Sequence, residues 1–206
     1  MPFAIFLAEA IIISLTGVMA PGPITAVIVG TGTRSPHAGA LVAIGHGIVE
    51  FPLMVLIYFG LGQILGLTNV KATIFAVGGL FLLYMGIDML RSMKHTVALD
   101  NSLVKNPLVA GILLSIGNVF YLVWWATIGA SLITKAVVFG LIGTIIFAVV
   151  HWLCDFIWFY FLSVVSYKGG HLFGITFQKV VFGICGAFLL LLSGKFLVDA
   201  GHLLYG

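Results

Sequence analysis

Six times along its 206 residues this chain stays apolar for about twenty residues or more, over roughly 4–31, 38–64, 70–91, 107–134, 136–165 and 177–203. A helix needs about 20 residues to cross the hydrocarbon of a bilayer, so each run is long enough to span it. Lipid satisfies no backbone polar group, and no run alternates apolar and polar residues as barrel strands do. The chain is 62% hydrophobic and 7% charged, against about a quarter charged in a soluble domain. The excess apolar surface must therefore face lipid. The predicted fold class is an all-α integral membrane protein with six transmembrane helices.

The domain organisation follows from the one polar stretch. RSMKHTVALDNSLVKN, Arg91 to Asn106, falls at mid-chain and parts two groups of three helices. A single transmembrane domain over 1–206 is expected, with half one at about 1–91, a linker at about 92–106 and half two at about 107–206. Three helices per half make the second half enter from the opposite side, as in an inverted repeat. Internal similarity agrees with this arrangement. Gly79-Leu80-Phe81-Leu82-Leu83 recurs as Gly186-Ala187-Phe188-Leu189-Leu190, 107 residues on. His46 and Glu50 recur as His151 and Asp155, 105 residues on.

Charge sets the expected orientation. Arg34, Arg91, Lys94, Lys105, Lys168 and Lys179 fall in loops 1–2, 3–4 and 5–6, and only Lys71 and Lys135 in the others. Six against two places the odd-numbered loops in the cytoplasm and both termini outside. The net charge of +3 is scattered between apolar runs, so no nucleic-acid partner is expected. Met1-Pro2-Phe3 lacks the basic start of a cleavable signal peptide. Cys154 and Cys185 lie in apolar runs without a C-x-x-C, so neither a metal knuckle nor a redox pair is expected. They occupy helices 5 and 6, not matching places in the two halves, which argues against a thiol–disulfide carrier. Ser193-Gly194 follows Leu191-Leu192 and makes no G-x-S-x protease site. No G-x-x-x-x-G-K-[ST] is present, which argues against ATP-driven transport by this chain. No enzymatic activity and no cofactor are expected.

Four places in the apolar runs can carry chemistry. Pro21-Gly22-Pro23 interrupts helix 1, because each proline removes a hydrogen bond and Gly22 is pushed out of the α region. The prolines free the carbonyls of Gly17 and Met19. A second half-helix from Pro23 aims the N–H groups of Ile24, Thr25 and Ala26 at an anionic group. The bland alternative is a plain kink. In helix 4, Gly117-Asn118 occupies the corresponding place, and the Asn118 amide can bond across to the freed carbonyls or simply tie two helices. His46 and Glu50 share one face of helix 2 at i, i+4, and His151 and Asp155 share one face of helix 5. Titratable groups at membrane depth face cavities, so these four are expected inside, to carry protons or bind a cation, or as ion pairs locking helices. If helices 2 and 5 meet, the same two His and two acids can form a metal site. Asp88 with Arg91 and Lys195 with Asp199 are spaced as structural pairs, and Glu9 sits two turns before the proline break. The glycines Gly39, Gly45-x-Gly47, Gly78-Gly79 and Gly183-x-x-Gly186 are read as close helix contacts. Trp124, Trp125, Trp152 and Trp158 are either interfacial anchors or cavity walls.

The order of these features resembles the LysE/RhtB family of amino-acid exporters along essentially the whole chain. Pro21-Gly22-Pro23 stands where that family has its P-G-P, and Gly45 and Gly47 resemble its second-helix glycines. Gly79-Leu80-Phe81-Leu82-Leu83-Tyr84-Met85-Gly86-Ile87, followed by Leu90-Arg91, is similar to its third helix. Asp155-x-x-Trp158 and Gly183-x-x-Gly186 resemble its fifth and sixth. One departure stands out. The family usually carries Asn-Pro-Lys in helix 4, whereas here the line reads Asn118-Val119-Phe120, losing a helix break and a charge. The resemblance implies a secondary transporter in a prokaryotic plasma membrane. Its cargo would be a small amino acid or related zwitterion, exported by proton exchange. The substrate would meet Pro21, Gly22, Pro23, Thr25 and Asn118; His46, Glu50, His151 and Asp155 would couple protons or bind a cation. No resident metal is assigned. The alternative is a divalent-metal cation exporter of a related superfamily. Expected partners are the small-molecule substrate and the lipid bilayer, with homo-oligomerisation left open.

Overall fold

The computed structural model describes residues 2–61, 63–64, 67–94 and 106–205, and these form helices with no strand among them. In chain order they are α1 (Phe3–Val18), α2 (Pro23–Gly32), α3 (Ala38–Leu56), α4 (Thr68–Lys94), α5 (Pro107–Ile116), α6 (Val119–Trp124), α7 (Ala130–Val137) and α8 (Gly140–Tyr205). Five stretches are long and apolar enough to cross a bilayer: Ala38–Leu61, Thr68–Asp88, Phe120–Val137, Gly140–Gly169 and Phe182–Leu204. α1 and α2 bend by 77° across the Pro-Gly-Pro, and counted as one broken span they make six. The protein is thus an all-helical integral membrane protein. Most of the linker expected at 92–106 lies outside the described residues.

α8 cannot be one straight rod. Asp155 and Leu189 line a single cavity, whereas the residues between them would hold the two about 51 Å apart in a straight helix. The chain therefore doubles back between the spans Gly140–Gly169 and Phe182–Leu204. Its second arm packs on α4, where Ser193 Oγ donates to the Gly79 carbonyl at 2.8 Å. Large side chains such as Ile12, Leu80, Ile142 and Leu191 are 60–76% exposed. That apolar surface would be untenable in water and is suited to lipid.

The fourth expected span differs from its reading as one run over 107–134. It divides into the short α5 and a crossing stretch from Phe120 to Val137. The break survives the missing proline. Gly117 ends α5, and the Asn118 carbonyl oxygen caps α6 by accepting from the Tyr121 N–H at 3.3 Å. Asn is a strong N-cap because its side chain satisfies a donor the helix leaves orphaned. α6 then passes into a π turn over Trp125–Gly129. α3 runs through Pro52 and ends in a second π turn, Ile57–Leu61, where Gly60 has φ 110°.

Backbone contact between α3 and α5 seats the site. A side chain at Gly45 would strike the Leu108 carbonyl, and one at Gly111 would strike that of Val42. Gly39 meets Phe159 of α8 in the same way. This is small-residue packing as it occurs where lipid supplies no hydrophobic drive between helices. A methyl at Gly45 must therefore push α5 away. Gly45→Ala is expected to cost about 1–3 kcal/mol, the usual cost of overpacking. Gly194, with nothing within 4 Å of its added Cβ, is the control and should accept alanine freely. Thermal unfolding in detergent checks this; equal midpoints for the two variants would contradict the contact.

Candidate functional site

The broken helix 1 supplies one wall of the site. α1 ends at Val18, Gly22 is extended (φ −163°, ψ −169°), and Pro23 opens α2. Proline suits that first position, where its missing N–H would have no partner anyway. Two details differ from the sequence reading. The Gly17 carbonyl is not free, because the Ala20 N–H turns back to it at 3.1 Å. The Ala26 N–H is also used, by the Gly22 carbonyl at 3.0 Å. The N–H groups of Ile24 and Thr25 remain without a hydrogen-bond acceptor among the described residues. Thr25 Oγ1 reaches back across the break to the Ala20 carbonyl at 3.4 Å.

The rest of the lining comes from the middle of α3, the break after α5, α6 with its π turn, and both arms of α8. All nine expected site residues line one cavity of about 650 Å³ including its mouth: Pro21, Gly22, Pro23, Thr25, His46, Glu50, Asn118, His151 and Asp155. Asn118 lines this space with the Pro-Gly-Pro, but its side-chain amide oxygen caps α6 and does not bridge to helix 1 among the described residues. Phe159, Phe188, Leu189 and Leu192 make the cavity largely apolar away from these polar groups.

Glu50 and Asp155 both point inward and are 1% and 3% exposed, beside His46 and His151 at 3% each. Glu50 Oε1 is the hub. His46 Nε2 lies 3.2 Å from it, His151 Nε2 3.3 Å, and the Trp125 indole N–H donates to it at 3.3 Å. Asp155 sits just beyond, with Oδ1 3.9 Å from His46 Nε2 and Oδ2 3.7 Å from His151 Nε2. Glu50 Oε2, Asp155 Oδ2, Tyr121 Oη and Trp124 Nε1 are buried without a hydrogen-bond partner among the described residues. One donor atom from each of His46, Glu50 and Asp155 lies within 4.8 Å of the other two, a spacing within the reach of one bound cation.

Sequence reasoning missed the groups that fix the two imidazoles. Ser115 Oγ lies 2.6 Å from His46 Nδ1, and Ser14 Oγ 2.6 Å from His151 Nδ1. Each serine comes from the opposite half of the chain and sits one turn or less before a helix break. The available signal was a serine between two branched apolar residues near the end of each broken helix, Ile13-Ser14-Leu15 and Leu114-Ser115-Ile116. Two of the tryptophans take the second of the roles offered. Trp124 stacks on His151 with centroids 5.2 Å apart and Trp125 binds Glu50, so both are cavity walls. Trp152 donates to the Ala43 carbonyl at 3.0 Å.

The outlying pairs also change. Glu9 meets Lys135 at 2.6 Å, joining α1 to α7. Neither Asp88–Arg91 nor Lys195–Asp199 forms an ion pair among the described residues.

A broken first helix facing a buried cluster of acids and histidines within membrane-spanning helices defines a multi-pass membrane transporter, with its site where irregular backbone is sheltered by protein. The LysE type translocator family matches residues 15–200, and the chain belongs to it. It is therefore a membrane exporter with a small-molecule substrate. No curated protein and no solved structure matches the chain.

Glu50 depends on donors, so deleting one tests the hub. Trp125→Phe keeps the ring and removes the N–H. It should lower stability by about 1.5–3 kcal/mol, the range for a hydrogen bond to a charged group. An unchanged unfolding midpoint in detergent would show that Glu50 does not rely on that bond.

Proposed function

We propose that this protein exports a small amino acid or related zwitterion across a prokaryotic plasma membrane in exchange for protons. The observation that carries this reading is the pairing of opposite chemistries in one cavity. The Ile24 and Thr25 N–H groups stand at the start of α2 without acceptors among the described residues, and the Glu50 and Asp155 carboxylates line the same cavity. A helix N-terminus favours a carboxylate, and the acids favour an ammonium. The partnerless Tyr121 Oη and Trp124 Nε1 offer further polar contacts to a small cargo. A bare divalent cation would leave the α2 donors unused, which weighs against a metal as the cargo.

The proton role falls to His46, Glu50, His151 and Asp155. Four titratable side chains within hydrogen-bonding or near distance can pass a proton among themselves when the cavity turns from one face to the other. The halves are read as inverted repeats about an axis in the membrane plane, with termini outside. Supporting this are the two helix breaks and the reciprocal Ser14–His151 and Ser115–His46 contacts. Rocking one half against the other would then alternate access to a fixed site.

Two variants test the reading in proteoliposomes loaded with a labelled amino-acid mixture. A Cβ added at Gly22 meets nothing closer than the Ala20 carbonyl at 4.0 Å, so the space beyond it is open to a side chain. Gly22→Ala should transport nearly normally, while Gly22→Leu should fill the gap and cut efflux at least tenfold with protein still inserted. Full efflux in the leucine variant would end the proposal for helix 1. For the second test, Asp155→Asn should abolish the dependence of efflux on an imposed pH gradient. Wild-type pH dependence in that variant would remove Asp155 from proton coupling.

A further inference from the structure

The hydrogen-bond pattern around His46 leaves the inner end of the cavity short of one cation. Ser115 has a single hydroxyl proton, and it donates to the Gly111 carbonyl at 2.5 Å, the ordinary back-bond of a serine within a helix. The Ser115 oxygen must then accept from His46, which fixes the N–H on Nδ1. In the neutral ring, Nε2 is left as a bare lone pair. That lone pair faces Glu50 Oε1 at 3.2 Å and Asp155 Oδ1 at 3.9 Å. Three electron-rich atoms confront one another with no proton of their own between them, and the Trp125 N–H reaches Glu50 Oε1 from outside the trio. Asp155 Oδ2 and Glu50 Oε2 are buried with no hydrogen-bond partner among the described residues, Oδ2 having His151 Nε2 3.7 Å away.

We infer that His46, Glu50 and Asp155 form a binding site for a divalent transition metal ion of the Zn²⁺ or Co²⁺ type. The inference rests on the reading of this cluster as the cation-binding end of the cavity, and assigns it a ligand other than the proton. Bonds of about 2.0–2.2 Å place neighbouring ligand atoms about 3.3–3.6 Å apart in a tetrahedral site. The contacts of His46 Nε2 with the two carboxylates, 3.2 and 3.9 Å, straddle that spacing. His151 Nε2, 3.3 Å from Glu50 Oε1 and 3.7 Å from Asp155 Oδ2, stands beside this three-residue group, and the fourth position of a tetrahedral ion falls to a water or an incoming ligand atom. Imidazole nitrogen with carboxylate oxygen suits zinc, cobalt or nickel, and is a poor set for magnesium or calcium, which prefer oxygen alone. The serines supply what such sites use to hold a ligand ring, a hydrogen bond on the other nitrogen. Their positioning role makes Ser115 a test residue in its own right. The aromatic rings of Tyr121 and Phe159 also lie near His46, with centroids at 5.0 and 5.8 Å. They add no competing charge.

The test uses the purified full chain in detergent, titrated with Zn²⁺ by calorimetry and with Co²⁺ by visible absorption. One ion per chain is expected, with proton release on binding and no competition from millimolar Mg²⁺. Asp155→Asn and His46→Gln should each weaken binding more than tenfold. Ser115→Ala should weaken it about 10-fold or more, with recovery in Ser115→Thr. Elution as a single species in size exclusion qualifies each variant. For any variant that fails this, the wild-type Co²⁺ spectrum decides, since mixed nitrogen and oxygen ligation at an enclosed site differs from that of the hexa-aquo ion. No saturable binding by the wild type would overturn the inference. So would binding that survives the His46→Gln, Asp155→Asn double change but is lost in His37→Asn or His202→Asn, because those exposed rings would then hold the ion. Amino-acid counterflow measured with and without EDTA separates the two readings. Counterflow without metal binding sinks only the metal site, and metal binding without counterflow sinks only the amino-acid reading.

Discussion

One carboxylate oxygen organises the centre of this protein. Glu50 Oε1 is met by groups from three separate stretches: His46 on its own helix, His151 on α8, and Trp125 at the π turn after α6. A carboxylate away from water is costly unless such partners surround it. The helices that supply them must therefore converge at one depth. The glycine contacts serve this end, because α3 and α5 touch backbone to backbone, which brings Ser115 within reach of His46. The π turn serves it too. An extra residue in the turn re-aims the side chains that follow, and Trp125 is 1% exposed with its N–H on Glu50. The cavity is the space this convergence leaves beside the broken helix 1.

Much of this was legible because membrane sequence makes polar residues conspicuous. His46–Glu50 and His151–Asp155 stand out in apolar runs, and lipid excludes them from the outer face. Pro21-Gly22-Pro23 announces its break through covalent geometry alone. What stayed hidden has equally physical reasons. Ser14 and Ser115 look like ordinary helix serines, since either could bond its own backbone and need nothing further. The α5–α6 break lacks a proline and rests on a cap, and an Asn reads as a cap only once the helix after it is known. Glu9 and Lys135 are 126 residues apart, beyond any local rule. The reverse failure occurs at Asp88–Arg91 and Lys195–Asp199, where helical spacing permits an ion pair and none forms. Exposed pairs of this kind contribute only tenths of a kcal/mol, about what holding two long side chains still removes.

The departure from the family's Asn-Pro-Lys has a smaller backbone consequence than the sequence suggests. The break remains at the same place, held by Gly117 and Asn118. What the chain lacks there is the lysine, so no cationic side chain lines the cavity. The polar groups an anion can meet there are backbone N–H groups, hydroxyls, an amide, indole and phenol tips, and the two imidazoles. The two acids are consequently balanced by histidines alone, and the electrostatics of the cavity hinge on imidazoles.

The crossed serine contacts also bear on how the molecule is made. Ser14 of the first half holds His151 of the second, and Ser115 of the second holds His46 of the first. A ribosome delivers the halves in order. When α1 to α4 have entered the bilayer, Glu50 has only His46 beside it; the Trp125 and His151 that complete its surroundings are still unmade. The half-built protein thus carries a buried acid with a fraction of its eventual partners, together with backbone donors at Ile24 and Thr25 that face no finished cavity. Such an intermediate is poorly matched to hydrocarbon. It must wait in a hydrated place, at the insertion channel or under a membrane-bound chaperone, until the later helices arrive. The interlock that makes neither half complete without the other therefore ties the assembly of this exporter to the timing of its synthesis.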